Sequence, residues 1–401
     1  MMSLASAPRV MALRRWEGAA QRVTAAVAAG MLLAGLGAAA SLPRPLRAPA
    51  VAAAFRADIP PPPATVGPAP APPGVPGPSS TSSPPVSAAR APLAPTRPAA
   101  RPAGPSTAGR EAAPRGGASS ARAAQPDATR LRRATLAYRG LGTWASVYEW
   151  TAAYTGGHPA FGLADIDAMA TQGVQALYIQ VGHDDAPTDI VEPDRLAPLI
   201  ARAHARGLRV VAWYVPMLDD PAKDVARMLS AARFPGVDSL AVDIEVRDIA
   251  DPVERSRRVV DESLALRRAL PELPLGAIVF PPTVMEVINP SFWPGFPWAG
   301  IAHVYDVWLP MAYWSDRSDA SGYRDAFHYT VDNVARVRHD LGRPDALVHP
   351  IGGTGDGSVA NDYAGFVRAS HALGVVGASV YTWRLTDASA WTVLRQLRAK
   401  P

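Results

Sequence analysis

The sequence predicts an α/β protein whose ordered part is a (β/α)8 TIM barrel, preceded by a Pro/Ala-rich N-terminal region that we expect to be disordered. Three observations support this prediction. From residue 135 onward, short apolar runs alternate with segments of helical periodicity. Eight such units fit into about 260 residues, the usual size of a closed barrel. Glycine recurs where a helix gives way to the next strand.

Residues 1–42 have the composition of a signal peptide or a signal anchor. Arginines between residues 9 and 22 precede an uncharged stretch, residues 23–42, which ends near small residues. This stretch is either cleaved or, since its length approaches that of a membrane span, kept as a tether. In both cases the remainder is exported, so we expect a secreted or cell-envelope, extracytoplasmic protein.

Residues 43–134 are dominated by Pro, Ala, Ser, Gly and Arg and have no aromatic residue after Phe55. Such a segment buries too little apolar surface to offset the entropy lost on ordering, which predicts a disordered linker. Its arginines either contact anionic wall polymers or, the simpler interpretation, only keep a solvated linker extended.

Charge divides the chain in the same place. Residues 1–135 carry 16 basic and 4 acidic side chains, whereas the remainder carries 24 basic and 31 acidic ones. The folded part is therefore mildly acidic, which argues against nucleic-acid binding. The chain has no cysteine, which excludes disulfides, thiolate zinc sites and a cysteine nucleophile.

Eight segments have the length and apolar character of buried parallel strands. They are Leu141–Trp150, Ala176–Gly182, Arg209–Pro216, Leu240–Val246, Leu275–Pro281, Asp306–Trp314, Ala346–Gly352 and Val375–Trp383. Seven segments between or after them have the spacing of amphipathic helices. They are Leu163–Gln172, Pro193–Arg206, Pro221–Ala232, Pro252–Leu270, Asp325–Leu341, Asn361–Leu373 and Asp387–Leu397.

Proline and glycine mark the ends of these helices. Prolines open three of them, in a first turn that accepts proline, and glycines follow five of them. The five glycines are Gly173, Gly207, Gly236, Gly342 and Gly374. Residues 283–298 are expected to be mostly loop. A doubly wound open sheet is the alternative, but no Gly-x-Gly-x-x-Gly follows the first strand, so nothing supports a dinucleotide site.

The chemistry is concentrated in the fourth strand. Because side chains alternate along a strand, Ala241, Asp243 and Glu245 share one face, opposite the apolar residues between them. In a barrel this face points inward and its carboxyl end opens at the active-site mouth. Burying two carboxylates lowers the stability of the fold unless each is paired with a positive charge or takes part in binding or catalysis. They therefore indicate either a buried ion pair with an arginine or a general acid, Glu245, whose pKa is raised by Asp243.

Residues 238–245, Asp-Ser-Leu-Ala-Val-Asp-Ile-Glu, resemble the strand-four signature of family 18 glycoside hydrolases, Asp-Gly-x-Asp-x-Asp-x-Glu. Residues 311–313, Met-Ala-Tyr, resemble the Met-x-Tyr-Asp of strand six in that family, and Tyr381 and Trp383 resemble its aromatic floor. The resemblance covers the barrel, about two thirds of the chain. The Asp-x-Glu of strand four is also similar to that of family 25 lysozymes.

The family 18 resemblance implies that Glu245 is the acid, that Asp243 orients an N-acetyl group of the substrate and that Tyr313 holds the carbonyl of that group. Three residues depart from the pattern, of which Ser239 in place of the signature Gly is the minor one. Ala241 stands where the first inner Asp belongs, and Trp314 stands where strand six usually has Asp. The last two departures put catalysis assisted by an N-acetyl sugar in doubt.

Further candidates for substrate binding lie where other strands end. They are Glu149, Trp150, His183, Asp184, Trp213, Tyr214, Trp314, Tyr381 and Trp383. The aromatic ones are expected to form a sugar-stacking platform, with caps on the barrel core as the alternative. Glu149 is either a second carboxylate for catalysis or a residue of a solvated loop. His183 and Asp184 lack a recognised metal spacing, so no metal is predicted, and His349 is expected to be a hydrogen-bonded core histidine.

Together these patterns predict an exported glycoside hydrolase that acts on a polysaccharide such as a cell-wall or amino-sugar polymer. A glycan-binding barrel without turnover is the alternative, and a structural wall-associated protein that works through residues 43–134 is a third interpretation. We expect a glycan partner, no cofactor, no nucleic acid, a monomer and, through residues 23–42, a possible membrane tether.

Overall fold

The computed structural model describes residues 128–354 and 357–400. Its nine strands, numbered in chain order, are β1 Gly140–Ala145, β2 Ala176–Gln180, β3 Arg209–Tyr214, β4 Ser239–Ile244, β5 Leu275–Val279, β6 Val307–Pro310, β7 Leu347–Val348, β8 Ile351–Gly352 and β9 Gly377–Val380. All of the paired strands are parallel.

Helices separate most of these strands. The α-helices are α1 Ala128–Tyr138, α2 Val147–Trp150, α3 Leu163–Gln172, α4 Pro193–Ala205, α5 Pro221–Arg233, α6 Pro252–Ala269, α7 Trp298–Ile301, α8 Ala326–Asp340, α9 Ala360–Ala372 and α10 Ala390–Leu394. A π-helical turn covers Val284–Ile288, and the rest of residues 283–298 is mostly loop, as expected.

The strands close into a ring. β7 and β8 are two pieces of one barrel strand, interrupted at His349 and Pro350. β7 pairs with β6, β8 pairs with β9, and a parallel bridge joins Met311, just after β6, to Ile351. Since β9 also pairs with β1, the main-chain hydrogen bonds run around the whole ring. The nine strands therefore occupy eight positions, which confirms the predicted (β/α)8 barrel over the open sheet.

The helix boundaries follow the predicted signals. α4, α5 and α6 each begin with the expected proline. Asp220, Asp251 and Asp325 cap α5, α6 and α8 by accepting a hydrogen bond from a main-chain N–H of the first turn. The five glycines predicted to end helices all have positive φ, a conformation that side chains with a Cβ rarely adopt.

The first strand is shorter than predicted, which is a correction. β1 ends at Ala145, and Val147–Trp150 forms one helical turn. The main-chain N–H of Ser146 donates to Glu149 Oε2 at 2.7 Å, one half of a capping box. The pattern Ser-x-x-Glu therefore marked the start of a helix, and Glu149 and Trp150 do not lie on a strand.

Helix α1 was also missed, because it begins at Ala128, inside the segment assigned to the linker. Its C-terminal residue Tyr138 is fully buried. The Tyr138 hydroxyl donates to the carbonyl of Leu240 at 3.0 Å and accepts from Ser239 Oγ at 2.8 Å. A Cβ on Gly276 would lie 2.6 Å from the same hydroxyl. Tyr138 thus enters the barrel at the amino-terminal end of its strands and forms part of the barrel floor.

His349 belongs to the same floor. It is fully buried, and its Nδ1 lies 2.8 Å from the carbonyl oxygen of Tyr138. The Tyr178 hydroxyl lies 3.2 Å from His349 Nε2. Burial lowers the pKa of His349 to about 3, so the ring is neutral near pH 7. The expectation of a hydrogen-bonded core histidine is therefore confirmed.

The predicted signal segment and nearly all of the predicted linker lie outside the described residues. Within residues 128–354 and 357–400, no helix has both the length and the apolar character needed to cross a bilayer.

The tight contact at the start of β9 predicts a specific loss of stability. A Cβ on Gly377 would lie 2.2 Å from the main-chain oxygen of Tyr138, an atom that cannot move aside without moving the strand. We expect Gly377→Ala to lower the free energy of unfolding by about 1–3 kcal/mol or more, measured by urea denaturation. Gly162→Ala is the control, because nothing lies within 4 Å of its added Cβ and its φ is −156°. Equal losses in the two variants would contradict the packing assigned to Gly377.

Candidate active site

A small pocket opens at the carboxyl end of β4, inside the barrel. Asp243 pairs in register with Ile278 of β5, and both side chains line the pocket. Ser239 lies four residues before Asp243 on the same face of β4, and its hydroxyl contacts Tyr138 in the barrel floor. The face that carries Ala241, Asp243 and Glu245 therefore points inward, as the alternation predicts. The free space in the pocket is about 10 Å³. Its lining residues are Trp144, Trp213, Asp243, Glu245, Ile278, Met311, Tyr313, Ile351 and Tyr381.

The two carboxyl groups of the pocket both have raised pKa values, and burial is the largest cause for each. Burial raises the pKa of Glu245 to about 7. Burial and, second, the charge of Glu245 raise the pKa of Asp243 well above its ordinary range. Asp243 is only 7% exposed, and its Oδ1 has no hydrogen-bond partner among the described residues. The alternative of a buried ion pair fails, because none of the lining side chains is basic.

Aromatic rings form most of the pocket wall. The ring centroids of Trp144 and Trp213 are 5.8 Å apart with the planes at 69°, and those of Trp144 and Tyr381 are 6.3 Å apart. Tyr313 completes the wall, with its ring centroid 6.1 Å from that of Tyr381. Trp213 is buried, and its indole N–H has no hydrogen-bond partner among the described residues. The wall therefore combines apolar surface with one N–H donor that a ligand can use.

Glu149 lies beside the pocket but does not line it. Its Oε2 accepts from the main chain of Ser146, and its Oε1 accepts from Thr382 Oγ1 at 2.7 Å. Burial raises the pKa of Glu149, although these hydrogen bonds partly oppose that shift. The carboxyl group thus joins the turn after β1 to the residue that follows Tyr381. This corrects both interpretations of Glu149, since it is neither on a solvated loop nor turned to the pocket as a second catalytic carboxylate.

Two predicted platform residues are fully buried, which corrects their assignment. Trp150 donates its indole N–H to the carbonyl of Gln180 at 2.9 Å. Trp314 packs against Phe366 with 5.2 Å between ring centroids, and a Cβ on Gly352 would lie 2.9 Å from its ring. These two rings fill the core and offer no face to a sugar.

Two others point toward the helices. Tyr214 follows Trp213 on β3, so the alternation turns it outward, and its hydroxyl donates to Asp224 Oδ1 at 2.8 Å. Trp383 donates its indole N–H to Asp165 at the start of α3 and packs against Trp391. Neither ring lines the pocket.

The residue matched to the first Asp of the signature, Asp238, lies at the opposite end of β4. Its Oδ2 accepts from the main-chain N–H of Val210 at 2.7 Å and lies 3.0 Å from His204 Nε2. Asp238 therefore joins β4 to β3 and to α4, away from the pocket.

His183 and Asp184 lie on the loop after β2, which the prediction placed at the mouth. His183 Nδ1 lies 2.7 Å from Asp185 Oδ1 and 3.0 Å from Asp184 Oδ1, and His183 Nε2 lies 3.0 Å from the hydroxyl of Tyr148. Burial opposes the charge of His183, but the neighbouring Asp184 and Asp185 raise its pKa overall. The side chains of His183, Asp184 and Asp185 are close enough together to hold a metal ion. Both ring nitrogens of His183, however, already have hydrogen-bond partners.

Sequence reasoning missed four pocket residues and one supporting residue; of the four, Met311 was noted only as part of the strand-six motif. Trp144 was missed because the first strand was extended to Trp150, which placed the mouth five residues too late. Ile278 and Ile351 are apolar and carry no signal of a site. Thr382, whose hydroxyl contacts Glu149, was missed because a lone threonine in an apolar strand looks like any other strand residue.

Solved structures with a similar fold are glycoside hydrolases. A family 18 chitinase from Cycas revoluta, in complex with allosamidin, is 12% identical, with 64% of this chain and 98% of that chain covered and a TM-score of 0.47. The spore cortex-lytic enzyme SleL from Bacillus cereus is 11% identical, with 65% and 74% covered and a TM-score of 0.49. An endo-1,4-β-D-mannanase from Thermotoga petrophila is 13% identical, with 61% and 88% covered and a TM-score of 0.46.

No protein-family model and no curated protein sequence matches the chain. A family 18 enzyme is among these similar structures, while the similarity to family 25 lysozymes rests on the strand-four carboxylates alone. At such low identity the similarity concerns the fold, and the chemistry has to be inferred from the pocket.

The contact between Glu149 and Thr382 can be tested directly. Thr382→Val removes the hydroxyl that donates to the buried Glu149 carboxyl group, so we expect a loss of about 1–3 kcal/mol in the free energy of unfolding. Thr330→Val is the control. The Thr330 hydroxyl is also buried but donates to a helix carbonyl four residues earlier, so its loss should cost less. If the two variants unfold at the same urea concentration, Glu149 does not depend on Thr382.

The raised pKa of Glu245 predicts how stability depends on pH. Its carboxyl group favours the folded state below its ordinary pKa, and this advantage is lost as the pH rises through about 7. Glu245→Gln should therefore gain thermal stability relative to wild type between pH 5 and pH 8. Glu254→Gln is the control, because Arg257 and Arg258 lower the pKa of Glu254 to about 2, so the difference between this variant and wild type should stay constant between pH 5 and pH 8. If the midpoint temperatures of Glu245→Gln and wild type changed in parallel between pH 5 and pH 8, this result would contradict the burial of Glu245.

Proposed function

We propose that this protein is a glycoside hydrolase with Glu245 as its general acid and Asp243 as its helper. The observation that carries the proposal is the placement of both carboxyl groups on the inward face of β4, in a pocket walled by aromatic side chains. Active sites of such barrels lie at this carboxyl end of the strands.

Glu245 suits the role of an acid because burial raises its pKa to about 7. A carboxyl group with this pKa stays protonated near neutral pH and can donate its proton to the glycosidic oxygen as the bond to the anomeric carbon breaks. Asp243 lies one side-chain repeat deeper on the same face. Its carboxyl oxygens would face the positive charge that develops on the sugar, and this charge would favour the ionised form of Asp243, whose pKa is otherwise raised well above its ordinary range by burial and by Glu245.

The substrate class follows from the wall of the pocket. Sugar rings pack their C–H faces on aromatic side chains, and four such side chains line this pocket, namely Trp144, Trp213, Tyr313 and Tyr381. We therefore propose a glycan substrate, with a polysaccharide of the cell wall or an amino-sugar polymer as the expected source. Export, attachment through residues 23–42 and a monomeric state remain predictions from the sequence.

A glycan-binding barrel without turnover is the second candidate. One observation favours it, because Ala241 leaves Asp243 without the carboxyl neighbour of the family 18 signature. The small free space of about 10 Å³ constrains both candidates alike. A hydrolase would need the sugar to lie above the pocket with one substituent inside, or the aromatic wall to move apart.

Activity against a panel of polysaccharides, measured as new reducing ends, separates the two candidates. We expect wild type to cleave at least one glycan and Glu245→Gln to lose about 100- to 10,000-fold in rate, the usual contribution of a general acid. Asp167→Asn is the control, since that carboxylate lies on the surface beside Arg206, and its rate should match wild type.

The same assay tests the protonation state. The rate should fall as the pH rises above about 7, because Glu245 then loses the proton that it has to donate. A Glu245→Gln rate within severalfold of wild type would remove Glu245 from the mechanism. Binding of a glycan without new reducing ends, even at high protein concentration, would favour the second candidate.

A further inference from the structure

The pocket has the composition of a site for a cation. Two carboxyl groups, Asp243 and Glu245, face a space enclosed by the rings of Trp144, Trp213, Tyr313 and Tyr381, and none of the lining side chains carries a positive charge. Carboxylates together with aromatic faces are the combination that proteins use to bind ammonium groups. Without a basic neighbour, these carboxyl groups are neutralised either by protons or by a positively charged ligand, and only the ligand would let them ionise.

One oxygen of the Asp243 carboxyl group also lacks a hydrogen-bond partner inside the pocket. Its Oδ1 is buried and accepts no hydrogen bond from any described residue, although the side chain is only 7% exposed. A buried acceptor of this kind is costly unless a donor reaches it. A donor that also carries positive charge would offset both the missing hydrogen bond and the repulsion between the two carboxyl groups.

The size of the pocket limits which donor fits. The free space is about 10 Å³, which is close to the room needed for one water-sized group. An ammonium group has one non-hydrogen atom and fits such a space. An acetamido group has four non-hydrogen atoms and therefore needs more space than one water-sized group.

We propose that the pocket recognises the 2-ammonium group of a deacetylated amino sugar, so that the substrate class is a glycan with free amines at carbon 2. The inference rests on the proposed function, because it places the scissile bond at Glu245. Carbon 2 is bonded to the anomeric carbon, and its substituent is therefore the group that would reach Asp243, one step deeper on β4. The Trp213 indole N–H, which has no partner among the described residues, would donate to a hydroxyl oxygen of the same sugar.

This assignment differs from what the family 18 resemblance implies. There Asp243 and Tyr313 would hold an N-acetyl group. Here Ala241 replaces the inner Asp of the signature, and Trp213, which pairs in register with Ala241, has its ring in the pocket. The exchange of a carboxyl group for a neighbouring indole reduces the depth of the pocket and favours the smaller substituent.

Binding of three tetrasaccharides tests the inference, because they share the β-1,4 linkage and differ only at carbon 2. They are the tetramers of glucosamine, N-acetylglucosamine and glucose. Calorimetry with Glu245→Gln in the full chain avoids turnover. We expect the glucosamine tetramer to bind at least about tenfold more tightly than the other two, as a hydrogen bond to a charged group provides.

Asp243→Asn, added to Glu245→Gln, should abolish this preference, whereas Asp167→Asn, which changes the net charge equally but lies on the surface, should leave it intact. Thermal unfolding of each variant checks that it is folded. A second variant, Trp213→Phe, keeps an aromatic ring but loses the indole N–H. It should weaken binding of the glucosamine and glucose tetramers alike and leave the preference unchanged. Equal or tighter binding of the glucose or the acetylated tetramer, or failure of the glucosamine tetramer to bind, would overturn the inference.

Products formed from the same tetramers by wild type keep the two proposals separate. Cleavage of the glucosamine tetramer in preference to the others supports both. Cleavage without any preference for free amines overturns the ammonium site and leaves the hydrolase. A tenfold preference in binding without cleavage of any glycan overturns the hydrolase and leaves the ammonium site.

Discussion

The burial of two like charges side by side is the constraint on which the interpretation of this barrel depends. Asp243 and Glu245 share the inward face of one strand, and no basic side chain lines the pocket that they reach. A protein interior tolerates such a pair only when a proton or a ligand compensates for it. The raised pKa values, the enclosing aromatic rings and the unpartnered oxygen of Asp243 are all consequences of that placement.

Much of the fold could be predicted because its signals are local. Prolines and aspartates at helix starts, glycines at helix ends and apolar runs of strand length each depend on a few neighbouring residues, and together they are sufficient for eight units and a closed ring. The errors lie where two local signals compete. Ser146 and Glu149 form a capping box that the surrounding apolar and aromatic residues concealed, and α1 has too few apolar residues to stand out from the linker.

The site was less predictable, because it depends on which way each side chain turns. Alternation turned Asp243 and Glu245 toward the pocket, since Asp243 lies within β4 and Glu245, with one residue between the two, directly follows the strand. The same rule separates Trp213, in the pocket, from Tyr214, against the helices, but sequence alone placed both at the mouth. Trp314 and Trp383 lie beyond the ends of their strands, where alternation no longer applies and packing against Phe366 or Trp391 decides their direction.

Helix α1 determines where the earlier part of the chain joins the barrel. Arg130 pairs with Asp306, just before β6, and donates to the carbonyl of Pro271, just before β5, so the helix lies across the end of the barrel where the strands begin. The pocket opens at the other end. The chain that precedes Ala128 therefore joins the barrel at the end opposite the pocket, and the carboxyl ends of the strands are left clear of this junction.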